Sequence, residues 1–243
     1  MSDSVRCMPA INGVDGNPGL DLSVVIPVYN EAGILEETMA RLLSWLGEIP
    51  YLWELILVDD GSTDSSRQIM EKLFGETPAV RVLGYSPNRG RGHALSLGMR
   101  SAQGAVVLTT EADLSWDTVS MGHLVGMVHE RKADVAVASP YRPGGRLVGV
   151  PPSRVALSRI ANLLAKTILR GGITMATGMT RAYRREILDL VLSTRQGKEF
   201  HLDVLCRSLR RRLVIREVPA VVSWQNAADV PLQPRNKEVS YEQ

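Results

Sequence analysis

Cysteine is scarce in this 243-residue chain: Cys7 and Cys206 are the only two, and nearly the whole sequence lies between them. That excludes a disulfide framework or a metal cluster built on cysteine spacing, and it suits a reducing cytoplasm. Long apolar runs are also missing. None approaches the roughly 20 residues that span a bilayer. Met1 to Leu20 carries Asn, Gly, Pro and Asp without the hydrophobic centre of a secretory signal. Residues 1–20 are expected to form a flexible leader, and the protein to be cytoplasmic, with peripheral membrane contact left open. Excess charge is missing too. A formal net charge of +2 gives no ground for a nucleic-acid partner.

What is present is an ordinary globular composition, 44% hydrophobic and 22% charged, in a length that buries one sizeable α/β core. Leu22 to Tyr29 is β-branched and reads as a buried strand, expected to end or turn irregular at Pro27, which has no N–H for a ladder. Leu35, Met39, Leu42, Leu43 and Leu46 have helical spacing within Ile34 to Leu46. Trp53 to Val58 is a second strand, closing on Asp59-Asp60-Gly61-Ser62-Thr63-Asp64, with Asp64 as N-cap of a helix from Ser65 to Phe74. A third strand, Val80 to Gly84, leads into Asn88-Arg89-Gly90-Arg91-Gly92-His93-Ala94 and a helix to Ser101. A fourth starts at Val106 and is read through to Asp113. Beyond it come a strand at Asp134 to Ser139, a Pro/Gly-rich loop to Pro152, and a helix at Val155 to Leu169. A loop at Met175 to Arg181, helices at Tyr183 to Ser193 and Phe200 to Leu209, and a last strand at Leu213 to Pro219 follow. The polar tail, 226–243, is expected to be mobile. This alternation predicts an α/β fold for residues 21–225, a Rossmann-like, mainly parallel sheet with helices on both faces.

In such sheets ligands bind beyond the carboxyl ends of the strands, and Asp59, Asp60, Glu111 and Asp113 all fall at such ends. On a strand, Glu111 and Asp113 would share one side, with only small Ala112 between them. Two carboxylates so placed repel unless a cation lies between them or a proton neutralises one. A hard divalent ion with oxygen ligands, Mg²⁺ or Mn²⁺, bridging to phosphates, fits that demand. For an isolated triplet a solvated strand end is the commoner reading; the convergence with Asp59 and Asp60 tips the balance. Two basic stretches keep alternatives open. The helix at Val155 to Leu169, with Arg154, Arg159, Lys166 and Arg170, either packs on the core with its cations snorkelling or lies at a membrane surface. The run Arg207 to Arg212 is either a solvated face or an attraction for anionic headgroups.

Four segments taken in order carry a resemblance: Val24-Val25-Ile26-Pro27-Val28-Tyr29-Asn30-Glu31, Leu57 to Asp64, Asn88-Arg89-Gly90 with Gly92 and Ala94, and Glu111-Ala112-Asp113-Leu114-Ser115. Together they resemble the family-2 inverting glycosyltransferases, whose nucleotide-sugar-binding fold is of the GT-A type. Thr177 to Glu186 and Glu217-Val218-Pro219 are similar to the dolichol-phosphate (polyprenyl-phosphate) mannosyltransferase branch, so the resemblance runs from Leu22 to Val222. It implies that Pro27, Tyr29 and Glu31 border the nucleotide base and that Asp59 and Asp60 hydrogen-bond base and ribose. It implies further that Glu111 and Asp113 hold ribose and metal, the metal bridging the donor diphosphate. Arg181 matches the position of an arginine that stabilises the leaving group, and Asp203 an acidic position near the acceptor. The implied activity is metal-dependent transfer of a hexose, mannose favoured, from GDP-mannose or a UDP-sugar to a lipid phosphate or a small-molecule acceptor.

The chain departs from that pattern mainly on the side that would face the acceptor. Glu111 stands where the family has aspartate, Ala138-Ser139-Pro140 replaces Gly-Ser-Arg with the nearest arginine at 142, and Met175 occupies an aspartate position. After Glu217-Val218-Pro219, Gln225 takes the place of an arginine and Asn226-Ala227-Ala228 follows. A polyprenyl phosphate is already an anion and attacks without a base, whereas a hydroxyl acceptor needs one. Asp203 and His201 are the candidates, and Asp203 equally suits an ion pair with the basic run that follows. Three other readings are a transferase with a different donor and a soluble hydroxyl acceptor, a non-catalytic donor-binding subunit, and a nucleotidyltransferase. Against the last, Asn30-Glu31-Ala32-Gly33 stands where a glycine-rich phosphate loop would follow the first strand.

Overall fold

The computed structural model describes residues 19–169 and 172–224. Most of the leader expected over 1–20 and the tail expected over 226–243 lie outside them. The first half alternates strictly: β1 (Leu22–Val28), α1 (Leu35–Glu48), β2 (Trp53–Asp59), α2 (Ser66–Phe74), β3 (Val80–Gly84), α3 (Arg91–Ser101) and β4 (Val106–Thr109). The second half adds α4 (Thr118–His129), β5 (Val135–Ser139), β6 (Arg146–Val148), α5 (Pro152–Leu169), β7 (Arg181–Arg184), α6 (Leu188–Val191), α7 (Phe200–Arg210), β8 (Ile215–Pro219) and β9 (Val221–Ser223).

Seven strands form one sheet in the order β3-β2-β1-β4-β7-β5-β8, and β6 pairs with β9 in a small separate ribbon. All neighbours in the large sheet are parallel except β7, which runs antiparallel to both β4 and β5. Right-handed crossovers put α1 and α2 on one face of the sheet and α3 and α4 on the other. Strands covered on both faces must be apolar throughout. Accordingly every residue of β4 and β5 is buried, as are Val24, Val25, Ile26 and Val28 of β1. α1 buries Leu35, Met39, Leu42 and Leu46 at helical spacing. The strand order reverses between β1 and β4, so a crevice opens beyond their carboxyl ends.

The structure corrects four expectations. β1 runs straight through Pro27, which pairs with Val58 of β2. Val25 O accepts from Thr110 N on the β4 side. Pro27, two residues on, turns its missing donor to that same side, where the β4 ladder has already ended at Thr109. β4 itself stops at Thr109, so Glu111 and Asp113 stand on the turn after it and not on the strand. The segment read as a loop and then a helix contains β7, with the helix starting only at Leu188. Tyr183 and Arg181 are both buried there because this strand lies inside the sheet. Finally α4, which was not anticipated, packs across β4, β5 and β7. Its N-cap is Asp117, whose carboxylate accepts from Ser120 N at 2.7 Å.

Candidate active site

Two loops interlock at the mouth of the crevice. Asn30 adopts a left-handed conformation, φ 57°, which asparagine tolerates because its amide bonds locally. Its Oδ1 accepts from Thr63 N at 2.8 Å, and Asn30 N donates to Ser62 Oγ at 3.1 Å. Glu31 N donates to Ser66 Oγ, Ala32 N to Asp64 Oδ2, and Ser66 N to Asp64 Oδ1. Asp64 therefore ties the start of α2 to the loop after β1. These bonds fix Tyr29 and Glu31 at the crevice without using either side chain.

Asp59 and Asp60 divide their duties. The Asp59 carboxylate is buried, accepts from Ser62 N at 3.0 Å, and has the Arg67 guanidinium 3.8 Å away. It does not line the crevice. Asp60 does, and its Oδ1 accepts from Tyr85 Oη at 2.6 Å and from Arg89 N and Gly90 N at 3.0 Å each. That clamp presents the N-terminus of α3, with Arg91 at its first position, to the same cavity. Burial and the bond to Asp60 push the Tyr85 hydroxyl pKa far upward, so it remains a donor.

Glu111 and Asp113, with Ala112 between them in the chain, line the same two cavities. Glu111 Oε2 accepts from Trp116 Nε1 at 2.9 Å and Ser115 Oγ at 3.0 Å, while Oε1 is 3.8 Å from the Arg91 guanidinium. Asp113 Oδ1 accepts from Ser115 N at 3.0 Å. Burial and the charge of Asp113 raise the Glu111 pKa above its ordinary value, against the pull of Arg91, Trp116 and Ser115. Burial, then Asp113, Asp64 and Glu111, raise that of Glu31 as well. Three carboxylates thus crowd one place.

Two cavities meet at that pair. The larger, about 510 Å³, is lined by Pro27, Tyr29, Glu31, Asp60, Arg91 and Lys198 as well as by Glu111 and Asp113. Its size is that of a typical small-molecule site. The smaller, about 250 Å³, also includes Glu111 and Asp113, and is closed by Trp116, Tyr141, Arg154, Ser158, Thr177 and Trp224. Arg154 stacks on the Trp224 ring, 4.2 Å from its centroid.

The model of the glycosyl transferase family 2 domain matches residues 23–192, well over half of the chain. The chain belongs to glycosyl transferase family 2. Among curated relatives, the undecaprenyl-phosphate 4-deoxy-4-formamido-L-arabinose transferase of Pseudomonas fluorescens is 29% identical over 88% of this chain and 60% of its own length. That of Shewanella sediminis is 31% identical over 80% of this chain and 57% of its own. The chain therefore spans about three fifths of the length of these relatives. Among solved structures, glucosyl-3-phosphoglycerate synthase from Mycobacterium tuberculosis with Mn²⁺, UDP and glucosyl-3-phosphoglycerate has a TM-score of 0.63 at 24% identity. That match covers 84% of this chain and 71% of that one, and it shows a shared fold. The same enzyme with Mg²⁺ and UDP gives a TM-score of 0.63 at 23% identity, covering 84% and 70%.

Of the residues that the family-2 resemblance singled out, Pro27, Tyr29, Glu31, Asp60, Glu111 and Asp113 share the larger cavity. Three do not. Asp59 is turned inward, as above. Arg181 stands in β7, fully buried, not on a loop before a helix. Its guanidinium donates to the carbonyls of Ala176 at 2.6 Å, Gly178 at 2.8 Å and His201 at 2.9 Å. Those three bonds brace the loop behind the site, and Arg181 lines neither cavity. Asp203 faces the segment that follows α6 and its own helix, accepting from Ser193 Oγ at 2.6 Å and Arg207 Nε at 2.9 Å. Burial raises its pKa, but these bonds and the Arg207 charge outweigh it and hold the carboxyl below the usual range. It is an ion-pair partner of the basic run. His201 is buried with neither ring nitrogen bonded, and burial together with Arg181 and Arg91 holds its pKa well below the usual histidine range. It lines neither cavity.

Sequence reasoning missed the cations. Arg91 and Lys198 line the larger cavity and Arg154 the smaller. Arg91 was legible in the Gly90-Arg91-Gly92 stretch that opens a helix; Arg154 was noted only as a cation at the Val155 to Leu169 helix, and Lys198 had no local signal.

The donor set fits a hard divalent ion. Glu111 and Asp113 offer carboxylate oxygens only, and their mutual repulsion disfavours the doubly charged state unless a cation joins them. Among the described residues no group of three or more His, Cys, Asp or Glu is placed to hold a metal. Two protein ligands, with phosphate and water completing the shell, is the arrangement that Mg²⁺ favours.

Proposed function

We propose that this domain transfers a sugar, a hexose with mannose favoured, from a nucleotide-sugar donor to a polyprenyl phosphate with inversion at the anomeric carbon. The observation that carries the reading is the pair of cavities meeting at Glu111 and Asp113, one sized for a nucleotide sugar and one walled by Arg154. In the larger, Tyr29 and Pro27 border the base, Asp60 reaches the ribose, and Arg91 and Lys198 face the diphosphate. A divalent ion on Glu111 and Asp113 would supply charge for the diphosphate as it leaves. A phosphate oxygen of the acceptor forms the new bond to C1, the C1–O bond to the diphosphate breaks, and nucleoside diphosphate departs with the electron pair. Preorganised cations in a dry site lower that barrier most where the negative charge grows.

What the smaller cavity offers supports this acceptor class. Its carboxylates are Glu111 and Asp113, which the metal would occupy, and neither Asp203 nor His201 lines it. A hydroxyl acceptor would lack a general base there, whereas a phosphate monoester needs none and meets Arg154. The curated relatives are named for transfer to undecaprenyl phosphate, which supports the same class. No helix among the described residues is long and apolar enough to cross a membrane. The test is transfer with Mn²⁺ or Mg²⁺, radiolabelled GDP-mannose or UDP-sugars, and a short polyprenyl phosphate, followed by partition between solvent and water. Label in the organic phase is expected. Label transferred only to soluble hydroxyl compounds would overturn the acceptor, and donor binding without any turnover would make the domain a binding subunit.

A further inference from the structure

Ser115 and Trp116 engage a single oxygen of each carboxylate and leave the other open. Ser115 N donates to Asp113 Oδ1 at 3.0 Å, while Ser115 Oγ and Trp116 Nε1 both donate to Glu111 Oε2, at 3.0 and 2.9 Å. Among the described residues no hydrogen bond reaches Glu111 Oε1 or Asp113 Oδ2. The Arg91 guanidinium stands 3.8 Å from Glu111 Oε1, beyond hydrogen-bond distance.

These donors sit on a rigid support. Ser223 N donates to Ser115 O at 2.8 Å, Asp117 N donates to Val221 O at 3.2 Å, and Trp116 bridges to Val222. The Asp117 carboxylate accepts from Val221 N at 2.7 Å as well. β9 thus fixes the backbone on either side of Trp116. The indole is 4% exposed and lies beside Gly178, where an added Cβ would come within 3.4 Å of it.

Glutamate needs such a hold more than aspartate would. Its arm is a methylene longer, and the freedom of that extra bond must be lost before the carboxylate can bind anything. Left loose, the arm could close the gap to Arg91 and pair with the guanidinium through both oxygens. That pairing would consume the cation that faces the diphosphate together with the oxygen that faces the ion.

We propose that Trp116 and Ser115 are positioning residues that clasp Glu111 by Oε2, leaving Glu111 Oε1 and Asp113 Oδ2 as the oxygens that take the divalent ion. Trp116 thereby fits the site to glutamate at position 111, where the family pattern has aspartate. The inference rests on the reading of this pair as the ion site. A buried indole N–H needs an acceptor in any fold, so the experiment must separate the clasp from simple packing.

The test is isothermal titration of UDP and GDP into the full chain, with Mg²⁺ and with chelator. The proteins are wild type, Trp116→Phe, Ser115→Ala, Glu111→Asp and Glu111→Asp/Trp116→Phe. Trp116→Phe keeps an aromatic ring in the wall and loses the N–H. It is expected to weaken ion-dependent binding about tenfold and to leave binding in chelator unchanged, whereas a general loosening of the loop would weaken both. In the Glu111→Asp background the shorter arm draws the carboxylate off the indole, so the same substitution is expected to cost less than about twofold. Ser115→Ala, which leaves the ring alone, is expected to cost about fivefold. Equal losses in the two backgrounds, or a Trp116→Phe loss that is the same with and without the ion, would overturn the proposal. If Trp116→Phe does not fold, an unchanged ion-dependent affinity in Ser115→Ala overturns it alone. Wild-type binding that ignores the ion would remove the ion site and the clasp together. Wild-type binding that needs the ion, unaltered by Trp116→Phe, would remove the clasp and leave the ion site standing.

Discussion

Arg181 is the residue on which the sequence and the structure part most sharply, and Arg181→Met separates the two roles. Methionine fills most of the same volume but donates nothing, so the carbonyls of Ala176, Gly178 and His201 lose their partner together. A buried acceptor left unpaired costs roughly 1–3 kcal/mol, and bonds to a charged donor are at the upper end. Removing the buried cation recovers part of its desolvation penalty, so the net loss is about 3–5 kcal/mol. Against a total of roughly 5–15 kcal/mol that is a large fraction of the stability of a domain. The melting temperature should fall by about 6–20 °C, taking 2–4 °C per kcal/mol for a chain of this size. Thermal and urea unfolding followed by circular dichroism measure it. Donor affinity, measured well below the melting temperature, should remain near wild type. A variant as stable as wild type that binds donor but no longer turns over would refute this reasoning and return Arg181 to the leaving group.

Three further outcomes follow from the same geometry. Asp203→Asn loses the Arg207 ion pair and should lower stability by about 1–2 kcal/mol. Its turnover should remain within about threefold of wild type, because loss of a general base would cost a hundredfold or more; pH–rate profiles of both proteins decide. Tyr85→Phe removes one of the three donors on Asp60 Oδ1 and should cost about 1 kcal/mol. Calorimetry should show weaker donor binding through a looser Arg89–Gly90 turn. The third concerns pH. Glu31 and Glu111 have raised pKa values in the folded, metal-free protein, so the folded state holds their protons more tightly than the unfolded chain does. Their contribution to stability is present below the ordinary value of 4.5 and is lost as pH rises through the folded values. Stabilisation by Mn²⁺ should therefore be largest near neutrality and fade on acidification, and Glu31→Gln/Glu111→Gln should flatten both trends. A metal effect independent of pH would contradict the carboxylate assignment.

The sheet and its crevice were legible because the signals are local. Val24 to Val28, Leu55 to Val58 and Val80 to Gly84 are strands by composition, and turn formers mark their ends. Parallel pairing then brings Tyr29, Asp60 and Glu111 together without any knowledge of side-chain contacts. The α/β expectation, with its Rossmann-like sheet and family-2 resemblance, was borne out. What failed is tertiary. Arg181 to Arg184 has too few residues to announce a strand, and it is one because it slots between β4 and β5, segments that end and begin far from it in sequence. α4 carries Gly122 and Gly126 and apolar residues on most sides, which blurs its periodicity. The smaller cavity draws Trp116, Tyr141, Arg154, Thr177 and Trp224 from separate segments, and no spacing rule collects them. Asp203 stood open between a base and an ion-pair partner of the basic run, and its bonds to Ser193 and Arg207 favour the ion pair.

The central claim is that Glu111 and Asp113 join a divalent ion to the diphosphate of a nucleotide sugar. Isothermal titration of GDP-mannose and UDP-glucose, with Mn²⁺ and with chelator, into wild type and Asp113→Asn tests it most directly. The account predicts donor binding that needs the ion in wild type and is at least about tenfold weaker in the variant, one ligand of a charged site being lost. Equal affinity with and without the ion, or an Asp113→Asn variant that binds as wild type does, would contradict it.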